Sequence, residues 1–332
     1  METIALFGAQ DYDKYFFNKI NDEHRLGFSF KFFEKNLTEE TVSLAKGIKV
    51  VCVFVNDTVN AAVIDTLYKN GTRLLALRCA GFNNVDLEAA RGKLSVVRVP
   101  AYSPYAVAEY ALGLMLALNR KITRAVCRTR SGNFSLNGLL GFDMHEKTIG
   151  IVGTGKIAKV LIQLLEGFKV NLLAYDIFED KEFAKAHGVR YTTLDELLEK
   201  SDIISLHCPL TPETRYLINE NSIRKMKEGV LLINTGRGQL VDTAALIEGL
   251  KEQRIAGAAL DVYEREGEYF YRDCSNHVLQ DDLLARLLSF NNVIVSSHQA
   301  FFTREALTNI ATSTLESVQA FLANKPLLNE VK

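Results

Sequence analysis

The chain carries no excess charge of either sign: 39 lysines and arginines stand against 40 aspartates and glutamates, a formal net charge of −1. Such a balance gives no long-range pull toward nucleic acid or an anionic membrane, so neither partner is expected. Cysteine is scarce and odd in number, with Cys52, Cys79, Cys127, Cys208 and Cys274 and no Cys-x-x-Cys spacing. That excludes a disulfide framework and a zinc ribbon, suits a reducing cytosol, and leaves no metal site expected. No apolar run reaches the roughly 18 residues that span a bilayer. The opening Met-Glu-Thr-Ile-Ala-Leu-Phe has no basic stretch and turns polar at Gln10, so no signal peptide is expected and the chain reads as cytoplasmic. Repeats and low-complexity tracts are also lacking.

What is there is an ordinary globular mix, 48% hydrophobic and 24% charged over 332 residues, enough for about two domains. Candidate strands fall at 2–7, 28–33, 49–55, 73–79 and 94–98. A second series falls at 148–152, 170–175, 202–206, 229–234, 256–260 and 292–296. Several, such as Val50-Val51-Cys52-Val53-Phe54-Val55, are continuously apolar, as expected of parallel strands covered on both faces. Helical patterns lie between them at 59–69, 156–166, 195–200 and 242–252. The repeated β-α-β order predicts an α/β architecture of two doubly wound parallel-sheet domains. Pro100 and Pro104 mark a boundary. The helix at 106–118 is apolar all round and is expected to be buried between domains or subunits. The stretch 119–147 reads as a polar excursion, and a helix at 305–322 closes the chain.

Thr148-Ile149-Gly150-Ile151-Val152 reads as a strand, and Gly153-Thr154-Gly155-Lys156-Ile157-Ala158 opens a helix directly after it. In this G-x-G-x-x-A, Gly153 permits the tight turn, Gly155 lets the backbone approach a pyrophosphate, and Ala158 allows close helix–strand packing. The amides and dipole of the helix start favour phosphate. Asp176 ends the next strand, 21 residues after Gly155, where the dinucleotide fingerprint places its ribose-binding acid. A carboxylate there repels a 2′-phosphate, and Ile177-Phe178-Glu179-Asp180 offers no arginine to offset it. The expected cofactor is NAD rather than NADP.

Three polar loops follow strands of the second series: Asn234-Thr235-Gly236-Arg237-Gly238, Asp261-Val262-Tyr263-Glu264-Arg265-Glu266, and Ser297-His298-Gln299. Arg, Glu and His are the side chains that reduction of a 2-oxo acid requires. A guanidinium holds the carboxylate and polarises the carbonyl. An imidazolium protonates the developing alkoxide, and a neighbouring carboxylate orients the ring and favours its charged form. Composition alone does not single out His298 among six histidines, since His207 also follows a strand.

The whole chain resembles the D-isomer-specific 2-hydroxyacid dehydrogenases, most closely their bacterial D-lactate branch. The resemblance rests on Leu77-Arg78-Cys79-Ala80-Gly81-Phe82-Asn83-Asn84-Val85-Asp86, Pro100-Ala101-Tyr102-Ser103-Pro104 and the glycine fingerprint. It continues through Ser205-Leu206-His207-Cys208-Pro209-Leu210-Thr211-Pro212, Asn234-Thr235-Gly236-Arg237-Gly238, Asp261-Val262-Tyr263-Glu264 and His298-Gln299-Ala300-Phe301. It implies a Rossmann NAD-binding domain at 102–298 and a smaller flavodoxin-like substrate domain made of 1–101 and 299–332. It makes Arg237 the substrate-binding arginine, His298 the proton donor, and Glu266, rather than its neighbour Glu264, the paired acid. Lys156 and Ile157 would meet the pyrophosphate, Asp176 the ribose, and Cys208, Pro209, Thr235, Gly236 and Asp261 the rest of the cofactor. Ala80 and Gly81 would bind the substrate carboxylate, while Tyr102 and Phe301, with Phe54, would close a small pocket. His207 becomes structural. The implied reaction interconverts pyruvate and D-lactate, and region 102–148 would join subunits into a homodimer or a dimer of dimers. One departure is Ala158 at a position where the family usually has glycine. The alternatives are a dehydrogenase for another 2-oxo acid, such as phenylpyruvate, a branched-chain oxo acid, glyoxylate or hydroxypyruvate, and a non-catalytic NAD-sensing protein on the same fold.

Overall fold

Short apolar strands alternate with helices along almost the whole chain. The computed structural model, which describes residues 2–331, gathers them into two separate all-parallel sheets. The units holding these sheets break at Ser103/Pro104 and Phe301/Phe302, beside the expected 101/102 and 298/299. The first unit therefore contains both ends of the described chain.

In this first unit, β1 (Thr3–Leu6), α1 (Asp11–Glu23), β2 (Ser29–Phe32), β3 (Val50–Val53), α2 (Ala61–Lys69), β4 (Leu74–Leu77), α3 (Leu87–Ala90) and β5 (Ser95–Val97) follow in order. The sheet order β2-β1-β3-β4-β5 is the flavodoxin-like one. Every residue of β3 and β4 is buried, which is why their sequences run apolar without alternation. The C-terminal helix Arg304–Leu322 belongs here. Its Ala311, Leu315 and Val318 pack with Phe17 and Ile20 of α1 and with Ile4, Leu6, Val50 and Leu74 of the sheet. Each such buried aliphatic side chain stabilises by about 1.5–3 kcal/mol relative to an exposed one.

The second unit begins with α4 (Pro104–Asn119) and α5 (Ile122–Arg130). Then come β6 (Thr148–Val152), α6 (Lys156–Leu165), β7 (Asn171–Tyr175), α7 (Lys181–Ala186), β8 (Val189–Tyr191), α8 (Leu194–Lys200), β9 (Ile203–Leu206), α9 (Glu220–Lys225), β10 (Val230–Asn234), α10 (Thr243–Lys251), β11 (Ile255–Leu260), α11 (Asp282–Ser289) and β12 (Val293–Val295). The sheet order β12-β11-β10-β9-β6-β7-β8 is that of a Rossmann domain, with the order reversing at β6. Successive strand residues serve opposite faces. Leu231 and Ile233 join a core with Ala111, Leu114 and Met115 of α4 and Leu161 of α6. Val230 and Leu232 face the other core, with Leu246 and Leu284.

The all-apolar helix α4 thus finds its partners on α6 and the sheet of its own unit, while Tyr105, Glu109 and Gly113 stay exposed. The stretch read as a polar excursion contains α5, which buries no residue and leaves its apolar Ile122 and Val126 exposed. Among the described residues no helix is long and apolar enough to cross a membrane.

Candidate active site

The second unit's polar loops all leave the carboxyl ends of its strands, where ligands bind in open α/β sheets. At the β6–α6 turn, Gly153 adopts φ +88°. A side chain there would also meet backbone: an added Cβ would lie 2.5 Å from Cys208 N and 2.8 Å from His207 C. Glycine at 153 therefore allows the loop after β9 to close onto the turn. Gly155 is exposed, and nothing lies within 4 Å of where its Cβ would be. It supplies no side-chain acceptor to the first-turn amides of α6, including those of Lys156 and Ile157. Ala158 is fully buried, as the packing role of that position requires.

Asp176 stands at the end of β7. The Thr154 amide (2.5 Å) and hydroxyl (2.9 Å) both donate to its Oδ2, and the Phe178 amide donates to its Oδ1 at 2.9 Å. Partial burial works against the charged form, but these hydrogen bonds outweigh it and hold the carboxyl below the usual range. Tyr191 of β8 extends the network, donating its hydroxyl to Thr154 Oγ1 at 2.9 Å. Neither Thr154 nor Tyr191 was singled out by sequence, although Thr154 lies inside the glycine fingerprint. The turn, the open first-turn amides and the charged Asp176 together fit a dinucleotide.

The loops after β10, β11 and β12 carry Arg237, Glu266 and His298. His298 Nδ1 lies 2.8 Å from Glu266 Oε1, and the Tyr263 amide donates to Glu266 Oε2 at 3.1 Å. Glu264 instead accepts from the Tyr216 hydroxyl at 2.9 Å. Of the two neighbouring acids, Glu266 is therefore the one paired with His298. Arg237 is half-buried, and its Nη1 donates to the Gly236 carbonyl at 2.8 Å. Gly238 beside it is wedged against the β11 loop, where an added Cβ would lie 2.1 Å from Tyr263 C.

Asp261 is fully buried, and its carboxylate is spent on the next loop. Oδ1 accepts from the Ser296 hydroxyl (2.7 Å) and the Gln299 amide (2.9 Å), and Oδ2 accepts from the Ala300 amide (2.8 Å). The His298 amide donates to the Asp261 carbonyl at 2.7 Å. These bonds hold His298 at φ +52°, a left-handed conformation that ordinarily costs a non-glycine residue about 1–2 kcal/mol. Asp261, expected to line the cofactor, also organises the histidine turn. Tyr271, which no motif marks, donates its hydroxyl to the His298 carbonyl at 3.0 Å.

His207 has Ser205 Oγ 2.8 Å from its Nε2, and desolvation pulls its imidazole down to about 4, so it stays neutral at physiological pH. Cys208 is half-buried and Pro209 exposed beside it, Thr235 is buried and Gly236 half-buried on the β10 loop, and Phe301 is buried. Ala80, Gly81 and Tyr102 belong to the first unit. Arg98 Nη1 donates to the Ala80 carbonyl (2.7 Å), Cys79 Sγ to the Gly81 carbonyl (3.2 Å), and Asn309 Nδ2 to the Tyr102 carbonyl (2.6 Å).

Comparison with known proteins agrees with this geometry. The family model described as D-isomer specific 2-hydroxyacid dehydrogenase, NAD binding domain, matches residues 112–300. A 2-hydroxyacid dehydrogenase homolog of Schizosaccharomyces pombe is 52% identical over 96% of both chains. The D-lactate dehydrogenase of Escherichia coli is 48% identical over 99% of both. The apo structure of D-lactate dehydrogenase from Escherichia coli superposes with a TM-score of 0.90 at 46% identity, covering 99% of this chain and 100% of that one.

Proposed function

Because the chain belongs to the D-isomer specific 2-hydroxyacid dehydrogenase family, we propose that it is an NAD-dependent D-lactate dehydrogenase that reversibly reduces pyruvate, with His298 as proton donor. The observation that carries the catalytic reading is the 2.8 Å pairing of His298 with Glu266 on loops that also bring Arg237 to the same end of the sheet. NADH, when bound, would supply the hydride for C2 of the substrate.

The roles of this chain's own residues follow from their chemistry. Arg237 binds the substrate carboxylate and polarises the carbonyl with a planar fork of donors. Glu266 accepts from Nδ1, which fixes the ring and leaves Nε2 to deliver a proton to the substrate oxygen. On the cofactor side, the amides of Gly155, Lys156 and Ile157 meet the pyrophosphate, and Asp176 accepts from the ribose hydroxyls. Cys208, Pro209, Thr235, Gly236 and Asp261 contact the remainder. Ala80 and Gly81 are assigned to the substrate carboxylate, and Tyr102 and Phe301 to the substrate's small side chain. The substrate-binding role of the first unit and the NAD-binding role of the second are parts of the same proposal.

A size series of 2-oxo acids with NADH tests the substrate assignment. Pyruvate should give the highest kcat/KM, and a preference for phenylpyruvate would contradict it. A homodimer is also proposed, on the exposed Phe134, Leu136 and Leu140 after α5, an apolar set unusual on a monomer surface. Light scattering giving a monomer mass would overturn that part. That none of the five cysteines forms a disulfide supports a cytoplasmic location.

A further inference from the structure

Glu266 lies in the long connection, 261–281, between β11 and α11. Near its middle Tyr271 itself adopts a left-handed conformation, φ +65°. Two contacts join this residue to His298: the 3.0 Å hydrogen bond from its hydroxyl to the His298 carbonyl, and a ring-to-ring approach of 6.2 Å with the planes tilted by 35°. The loop is anchored at its ends, through the Tyr263 amide on Glu266 and the Tyr263 hydroxyl on Asp281 at 2.8 Å. Asp281 in turn caps α11 through the Leu283 and Leu284 amides.

A left-handed histidine persists only if its surroundings hold it there. Asp261 secures the amide side of His298 and the residues that flank it. The carbonyl side is held by Tyr271. We propose that Tyr271 is a positioning residue for the proton donor: its hydroxyl fixes the peptide that follows His298, so one loop sets both the ring partner, through Glu266, and the backbone of the same histidine. This rests on the reading of His298 as proton donor.

The test is Tyr271→Phe, which keeps the ring and removes only the hydroxyl, measured beside His298→Asn in the full-length protein. With the carbonyl of that peptide released and only its Gln299 amide still held by Asp261, Nε2 spends less time aligned with the substrate oxygen. Tyr271→Phe should lower kcat for pyruvate about five-fold, equivalent to ~1 kcal/mol at the transition state, the ordinary worth of one neutral hydrogen bond. NADH affinity should be unchanged, and the solvent deuterium isotope effect on kcat should rise as proton delivery becomes more limiting. A structural brace alone would lower the melting temperature and leave kcat per folded site and the isotope effect untouched, and that result overturns the proposal. Wild-type behaviour of Tyr271→Phe with a disabled His298→Asn overturns it too. Full turnover by His298→Asn would instead remove the reading on which it rests.

Discussion

Replacing Gly238 by alanine tests whether the catalytic loops depend on close backbone approach. The added Cβ would lie 2.1 Å from Tyr263 C, 2.2 Å from its O and 2.4 Å from Glu264 N. All three are backbone atoms, so no side chain can swing away. Restoring ordinary contact at ~3.5 Å requires the β10 and β11 loops to separate by about 1.4 Å. Overpacking of this kind costs about 1–3 kcal/mol, a loss of several degrees in melting temperature for a unit of this size. The effect on turnover should be larger, because the opening moves Arg237, next to Gly238, relative to Glu266 and hence His298. Misplacement by about 1 Å can cost on the order of 100-fold in rate. Steady-state kinetics should therefore show kcat/KM for pyruvate down by about two orders of magnitude, and calorimetric titration with NADH should show cofactor affinity little changed. A Gly238→Ala enzyme with wild-type kcat/KM would refute the argument that this contact sets the spacing of the catalytic groups.

Further expectations concern single side chains. Asp261→Asn puts an NH2 against one of the three donors its carboxylate satisfies, so melting temperature and kcat should both fall, with ~1.5–3 kcal/mol lost per unmade bond to charge; unchanged thermal melting would contradict this. Asp176→Ala removes the charge that repels a 2′-phosphate, and the NADH to NADPH preference measured by kcat/KM should drop at least ten-fold. Acid stability should carry the signature of His207. Its folded-state value of about 4 lies below the ordinary 6.5, so the unfolded chain binds the proton first. Stability present above pH 6.5 is then lost as pH falls toward 4, by at most ~3 kcal/mol. Urea titrations of His207→Gln should show a flatter dependence across that window, and an identical dependence would exclude the assignment.

The strands were legible because fully buried parallel strands must be apolar throughout, as β3 and β4 are. What escaped had no such pattern. Strand β8 is three residues long and not fully buried at any of them. Helix α1 buries only Asp13, Phe17 and Ile20, and α5 buries nothing. In the site, the glycine fingerprint and Asp176 could be read from spacing, since local chain geometry fixes their relation. The choice of Glu266 over Glu264 needed family resemblance, and the Tyr216–Glu264 and His298–Glu266 contacts now give it a physical reason. Asp261 as organiser of the turn, Gly238 as the close contact and Tyr271 as the clamp were not readable. Each depends on which loop meets which across the sheet, and no local spacing encodes that.

The most direct test of the central claim is turnover of the purified protein with each lactate enantiomer. The account predicts rapid NADH oxidation with pyruvate, NAD reduction with D-lactate, and none with L-lactate. NAD reduction with L-lactate, or failure of both pyruvate and D-lactate while NADH still binds, would contradict it.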